Sequence, residues 1–166
     1  MKRTLVFFLL PSCFLVACNS EEQVSTPEDI GPQVMKILEE LNDITEREFQ
    51  ENFITSKQLQ KIANNEQRIN DEGQRRSMTS VTKEQMEVRY NFMFQRLKDA
   101  GKGFGINWEN IKFVSFKHKK EIYRGAEFCS GELKFKHQSR SFTVETYSFY
   151  DGSRYILTSL EKLKEI

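Results

Sequence analysis

Several glutamates of this chain lie in predicted strands, where a carboxyl group can be enclosed by apolar side chains. Glu145 stands out, because it lies close to Tyr147 at a point where the alternation of apolar residues changes phase. A carboxyl group in an apolar pocket has a raised pKa, so that it can act as a general acid or base. Glu145 and Tyr147 are therefore candidate groups in a sheet cavity, although a glutamate at a bulge or rim is the commoner situation. The same carboxyl chemistry could come from Glu109, Glu127 and Glu132.

Trp108 and Phe104 could form the aromatic lip of such a cavity. They lie in or just after the glycine-rich stretch 101–105. A tryptophan between a helix and a sheet more often fills the core, because its ring contributes a large apolar area. Both alternatives stay open, and Trp108, Glu145 and Tyr147 together make up the predicted candidate pocket.

Neither of the two histidines belongs to a recognisable metal site. A zinc site needs three or four ligands at characteristic spacings, and the sequence around His118 and His137 provides no such set. Hairpin geometry places the two at opposite ends of one predicted strand, roughly 30 Å apart. We therefore predict no metal and no cofactor.

The basic residues of the strands are predicted to form two separate groups. Residues 117–120 lie at one end of the sheet, and Lys134, Lys136 and Arg140 lie at the other. A continuous track for nucleic acid is then not expected, and lysines on strands commonly discourage edge-to-edge pairing. The net charge of +1, from 25 Lys+Arg and 24 Asp+Glu, also provides no overall attraction to nucleic acid.

The first residues have the layout of an export signal. Lys2 and Arg3 precede an apolar run that ends at Val16, and the small residue Ala17 follows. A transmembrane helix needs about 20 apolar residues, whereas this run has roughly 13 and contains a proline. We predict a cleaved signal peptide over residues 1–17.

Residues 15–18, Leu-Val-Ala-Cys, resemble the bacterial lipobox. In lipoproteins with this motif the cysteine receives a diacylglycerol before cleavage, which implies lipidation of Cys18 and firm attachment to a membrane. Cys13 is a rival site that fits worse, because Pro11 precedes it closely and the apolar run before it is short. An unlipidated cleaved signal and a buried apolar N terminus are the remaining alternatives.

The residues after Cys18 indicate where in the cell envelope a lipoprotein of this kind is located. Asn19 is not the aspartate that retains lipoproteins of enteric bacteria in the inner membrane, and residues 20–22, Ser-Glu-Glu, resemble the acidic signals of surface lipoproteins of the Bacteroidota. The resemblance implies a lipid-anchored protein of the cell envelope, in the outer membrane at its periplasmic face or at the cell surface.

Cleavage would leave a chain that suits one domain. It removes 17 of the 166 residues and, with Lys2 and Arg3, lowers Lys+Arg from 25 to 23 against 24 acidic residues, a net charge of −1. Once Cys18 is acylated, Cys129 is the only thiol, so no internal disulfide is expected. Its apolar neighbours in a predicted strand are typical of a buried thiol more than of a reactive nucleophile.

Hydrophobic periodicity predicts an α+β domain over residues 27–166, after a flexible tether over residues 18–26. Helices are predicted within residues 27–101, with a kink or restart at Gly31-Pro32 and a mobile loop over residues 64–80. A curved four-stranded antiparallel meander is predicted within residues 111–160, with strands over 111–119, 127–137, 142–150 and 153–160. Gln138-Ser139 and Asp151-Gly152 are the predicted tight turns.

The apolar residues of the second and third strands do not stay in phase. Phe128 and Leu133 differ in parity, and so do Val144 and Phe149. Either both faces of the sheet are partly covered, or bulges near residues 130–131 and 145–146 shift the phase.

Helices followed by a curved meander resemble the cystatin-like or nuclear-transport-factor-two-like arrangement. The stretches 105–114, Gly-Ile-Asn-Trp-Glu-Asn-Ile-Lys-Phe-Val, and 131–136, Gly-Glu-Leu-Lys-Phe-Lys, are similar to small lipoproteins of the Bacteroidota. The resemblance covers roughly residues 30–166, implies a fold and an envelope location, and brings no catalytic residues.

Three functions are compatible with these features. The first is a non-enzymatic module that binds an envelope protein or a small ligand at the membrane. The second is a hydrolase- or isomerase-like enzyme that uses a cavity between helix and sheet. The third is an immunity or inhibitor lipoprotein that blocks a secreted toxin or hydrolase.

Overall fold

The structure, a computed structural model, describes residues 24–166. The predicted signal peptide, Cys18 and most of the predicted tether lie outside the described residues. Five helices precede a four-stranded antiparallel sheet, which confirms the α+β prediction. The elements are α1 (Pro27–Glu39), α2 (Glu46–Gln50), α3 (Ser56–Ala63), α4 (Glu72–Thr79), α5 (Lys83–Phe104), a 3-10 turn (Trp108–Asn110), β1 (Ile111–Tyr123), β2 (Ala126–His137), β3 (Arg140–Tyr150) and β4 (Tyr155–Glu165). Within residues 24–166, no helix is long and apolar enough to cross a membrane.

The strands follow one another in the order β1-β2-β3-β4, as a meander does. Gln138-Ser139 is a two-residue turn as predicted, and Gln138 adopts a φ of 56°. The predicted two-residue turn at Asp151-Gly152 is wrong in length, because Tyr150 pairs with Tyr155 and leaves a four-residue loop. That loop is held by the Asp151 side chain, whose Oδ1 accepts hydrogen bonds from backbone N–H groups at 2.8 and 3.0 Å.

The register shows that both faces of the sheet are partly covered, which was the first of the two alternatives. β2 and β3 pair without interruption from Phe128 to His137, so the bulge predicted near residues 130–131 is absent. Gly131 is needed there for another reason, because a Cβ atom would overlap the ring of Phe116. The irregularity near residues 145–146 exists, but the extra residues lie on β4, where Lys162 has a φ of 50°.

We call the side of the sheet that carries Leu133 and Phe135 the inner face. Their cross-strand partners Val144 and Phe142 complete a row of side chains with no solvent exposure. α1 packs on this face, and the last turn of α5 reaches it where the rings of Phe104 and Phe142 lie 5.6 Å apart. The opposite side, the outer face, carries the out-of-phase residues Phe128, Glu132, Glu145, Tyr147 and Phe149.

α1 is continuous through Gly31-Pro32, so the predicted restart of the helix is wrong. Pro32 lies inside the helix, where it lacks the backbone N–H that would donate to the Glu28 carbonyl. Gly31 is required by packing, since a Cβ atom at this position would lie 2.5 Å from Cβ of Phe116 on β1.

Residues 64–80 do not form one irregular loop, because α4 occupies Glu72–Thr79. Asp71 caps this helix, with its Oδ1 accepting from the Gln74 N–H at 2.6 Å. Ile69 and Met78 are buried and attach the segment to the core. Only two apolar anchors in a polar stretch leave almost no periodicity in the sequence, which explains the wrong prediction.

The predicted tether ends earlier than residue 26. Val24 is buried, and its carbonyl oxygen accepts a hydrogen bond from the Tyr155 N–H at 2.8 Å. Thr26 caps α1 together with Asp29. The chain is therefore attached to the edge of β4 before the first helix begins.

Candidate functional site: an apolar cleft on the outer face

A cleft of about 540 Å³ opens between the outer face of the sheet and the helices α3, α4 and α5. Its lining surface is mainly apolar, although seven of the fifteen lining side chains are polar. The apolar lining consists of Ile54, Leu59, Met78, Val81, Met86, Tyr90, Phe128 and Phe149, and the polar lining of Gln74, Gln85, Arg89, Tyr147, Thr158, Ser159 and Glu161.

Local sequence signals position each wall. Thr82 caps α5 by accepting from the Gln85 N–H at 3.2 Å, which sets the helical phase that turns Met86 and Tyr90 towards the cleft. The rings of Phe128 and Phe149 meet edge to face at 4.9 Å and form part of the sheet side. Phe128 and Phe149 are the residues that depart from the alternation of apolar residues in β2 and β3.

Tyr90 fixes one end of the cleft. Its hydroxyl donates to the Ile54 carbonyl at 2.7 Å, and burial raises the pKa of this phenol far above its usual value. The hydroxyl therefore stays protonated and is engaged with the backbone. Tyr90 is a wall of the cleft and not a source of protons.

Glu145 and Tyr147 lie two residues apart on the same face of β3 and contact each other, but Glu145 does not line the cleft. The Tyr147 hydroxyl donates to Oε2 of Glu145 at 3.2 Å, and Tyr147 lines the cleft. Glu145 also contacts Nζ of Lys162 at 2.9 Å, and this bond holds the pKa of Glu145 below its usual value. Of the two alternatives for Glu145, the structure therefore shows the glutamate beside a bulge and not the one in an apolar pocket, because the irregularity on β4 places Lys162 next to it. Partial burial, with a smaller contribution from Glu145, raises the pKa of Tyr147.

Trp108 is not part of this site. It is 1 % exposed, its ring lies 6.1 Å from that of Phe135 on the inner face, and it closely contacts Gly101. The core role, one of the two alternatives for this residue, is what the structure shows. Phe104 belongs to the same inner-face packing through its contact with Phe142.

The other glutamates proposed from the sequence lie elsewhere. Glu127 accepts a hydrogen bond from the Tyr155 hydroxyl at 2.5 Å, Glu132 lies 3.8 Å from Lys164, and Glu109 is exposed within the 3-10 turn. None of the three lines the cleft.

The histidines are well separated, although less than predicted. His118 pairs with Gly131, six residues before His137 along β2, which corresponds to about 20 Å and not 30 Å. His137 is buried, with Nε2 accepting from the Asn107 N–H at 3.3 Å, and His118 lies 3.7 Å from Glu28. In the part of the chain that the structure describes, no group of three or more His, Cys, Asp or Glu could hold a metal ion.

Cys129 is a buried free thiol on the inner face. Burial, with a smaller contribution from Glu28, raises the pKa of this thiol to about 11. A thiol with that pKa is almost entirely protonated at neutral pH and therefore a poor nucleophile.

The sequence contained a signal for the cleft that the predictions did not use. Phe128 and Phe149 depart from the phase of the inner-face residues and form a cross-strand pair. A large aromatic pair on the face opposite the main core indicates a second covered surface. Leu59, Met78 and Met86 could not be assigned to it, because their meeting depends on how α3, α4 and α5 pack.

Comparison of the chain with protein-family models, with curated proteins and with solved structures finds no match. The cleft and its chemistry are therefore what define a functional hypothesis for this protein.

Proposed function

We propose that this protein is a lipid-anchored binding module of the bacterial cell envelope that holds a small apolar molecule in the outer-face cleft. The observation that carries the proposal is the cleft itself. Its volume of about 540 Å³ lies within the range of small-molecule sites, and its lining is mainly apolar. Met78 and Met86 add side chains that adjust easily to the shape of a ligand.

The charges around the cleft indicate how such a ligand is oriented. Arg89 is exposed and makes no ion pair among residues 24–166, whereas the buried lining of Met86 and Phe149 carries no charge. Because Glu161 lines the same cleft, a ligand with an apolar body and a polar end matches this arrangement, with the polar end at Arg89.

The predicted anchor supports the same proposal. Cys18 is six residues before Val24, a span of at most about 20 Å in extended chain. A domain attached through so short a segment stays close to the lipid surface, where apolar molecules concentrate. We propose the outer membrane as the location, at its periplasmic face or at the cell surface.

We do not propose the enzymatic alternative. Its general acid would be Glu145, whose carboxylate is kept ionised by Lys162 and is already engaged with Tyr147. A carboxylate in this state holds the side chains of Lys162 and Tyr147 in place and is not available as a general acid.

A filling substitution tests the cleft. In the full-length chain purified in detergent, Met86→Trp places an indole in the cleft and should weaken binding of an environment-sensitive apolar dye about tenfold. Val88→Trp is the matched control, since Val88 is two residues further along α5 and 70 % exposed. Mass spectrometry of an organic extract of the native protein should recover a bound apolar molecule, and Met86→Trp should lose it.

Folding of each variant is checked by circular dichroism, and Leu59→Trp fills the same cleft from α3 if Met86→Trp does not fold. Equal dye binding by the filled variants and by Val88→Trp would overturn the proposal.

A further inference from the structure

The two edge strands of the sheet, β1 and β4, differ in whether another segment of the chain forms backbone hydrogen bonds with them. β4 is covered by the chain itself, because the Tyr155 N–H donates to Val24 at 2.8 Å and the Ile54 N–H donates to the Leu157 carbonyl at the same distance. β1 pairs only with β2, and within residues 24–166 no other segment forms backbone hydrogen bonds with it. β1 is therefore an open edge of 13 residues.

Four lysines beside this edge form what we call the lysine patch: Lys112, Lys117, Lys134 and Lys136. By register they share the outer face, with Lys112 directly opposite Lys136 and Lys117 opposite Glu132. None of the four makes an ion pair among the described residues, since Glu132 pairs with Lys164 instead. Like charges directly opposite each other destabilise a sheet. Binding of an acidic partner would remove the repulsion between Lys112 and Lys136.

Protection of the edge does not explain the whole patch. Lysines on an edge strand prevent pairing with other strands, and this accounts for Lys112 and Lys117. Lys134 and Lys136 lie on β2, which is an interior strand with both sides paired. Their unpaired charges therefore need another explanation.

β1 also presents apolar groups. Phe113 is 46 % exposed and Val114, at the irregularity between Phe113 and Ser115, is 41 % exposed. Phe113 pairs with Phe135 and so belongs to the inner face, opposite to the lysine patch. A flat membrane surface cannot contact both faces, whereas a strand laid along the edge can, because its side chains alternate between them.

We infer that the open edge of β1 binds an extended polypeptide segment in which acidic and apolar residues alternate. The segment adds a fifth strand to the sheet, with its acidic side chains over the lysine patch and its apolar side chains beside Phe113. A second copy of this chain does not fit, because residues 117–120 of its own β1 would bring further positive charge to the same place. This site is separate from the outer-face cleft and independent of what the cleft binds.

Two labelled peptides of the same composition test the inference on the full-length chain in detergent. In one peptide glutamate and valine alternate, and in the other all glutamates precede all valines. Fluorescence anisotropy should show binding of the alternating peptide only, weakening as salt is added. The double variant Lys112→Glu/Lys117→Glu should bind it about tenfold more weakly.

The matched control is Lys57→Glu/Lys61→Glu on α3, which changes the net charge equally at exposed positions away from β1. Hydrogen exchange should show protection of β1 amides when the alternating peptide is bound. Equal binding of both peptides, equal loss in both double variants, or binding of phosphatidylglycerol vesicles without binding of peptide would overturn the inference.

Discussion

At the scale of single residues, close contacts decide where helices meet the sheet. Gly31 and Gly101 each lie against an aromatic ring, Phe116 in the first case and Trp108 in the second, with no room for a Cβ atom. Gly103 lies two residues further along α5 and has open space around it. The two glycines of α5 therefore have different reasons to be there.

Gly101→Ala should destabilise the protein by about 1–3 kcal/mol, because the added methyl group overlaps the fully buried indole of Trp108. Gly103→Ala should stabilise it by about 0.5–1 kcal/mol, because alanine favours a helix more than glycine does. Urea unfolding measures both free energies. A Gly101→Ala variant as stable as Gly103→Ala would show that Trp108 is not held in place.

Cys129 should be unreactive in the folded protein. Its buried position and its pKa of about 11 leave little thiolate at about pH 8. Iodoacetamide should therefore label it only as the protein unfolds or opens locally, and the rate in an opened state should follow the ordinary thiol pKa of about 8.5, because the thiol is then no longer buried. Rapid labelling without denaturant at neutral pH would contradict this prediction. Cys129→Ala serves as the control for labelling elsewhere.

At the scale of elements, α4 is the clearest example of a helix made by its surroundings. It is eight residues long and polar, and its N terminus depends on Asp71. Asp71 also lies 3.6 Å from Arg124 in the turn between β1 and β2, so it joins α4 to the tip of that hairpin. Through Met78, the same helix forms a wall of the cleft.

Asp71→Ala should lower the free energy of unfolding by about 1 kcal/mol, because it removes the cap of α4. Hydrogen exchange should become faster in α4 before it does so in α5. Asp99→Ala, an exposed aspartate of α5 with no hydrogen bond or ion pair among residues 24–166, should have little effect. If the backbone amides of α4 exchange at the same rate in both variants, Asp71 does not stabilise α4.

At the scale of the whole molecule, the described domain begins at the edge of the sheet opposite to β1. Val24 is bonded to β4, whereas the lysine patch lies on β1 and β2. The membrane attachment that we propose at Cys18 would thus enter from the β4 side and leave the open edge of β1 available to a partner.

Cys18→Ser should abolish labelling with radioactive palmitate and release the protein from the membrane fraction, because the acylated residue is lost. Cys13→Ser, in the rival motif, should leave both labelling and fractionation unchanged. Labelling that persists in Cys18→Ser and disappears in Cys13→Ser would place the anchor at the rival site.

The pattern of residues along the chain was sufficient for the fold class, since helical spacing and strand alternation are local properties. It predicted helices within residues 27–101 and the order of the four strands, and through Phe128 and Phe149 it gave two partly covered sheet faces as one of two alternatives. It failed at α4, because a polar helix with one cap has almost no periodicity.

The cleft, the pairing of Glu145 with Lys162 and the burial of Trp108 were decided only by the tertiary structure. Each depends on contacts between residues far apart in sequence, such as Met86 with Phe128 around one cavity. Glu145 shows the physical reason most directly. Its pKa depends on whether a lysine or an apolar side chain lies beside it. The irregularity on β4 places Lys162 there, and this lysine lowers the pKa of Glu145.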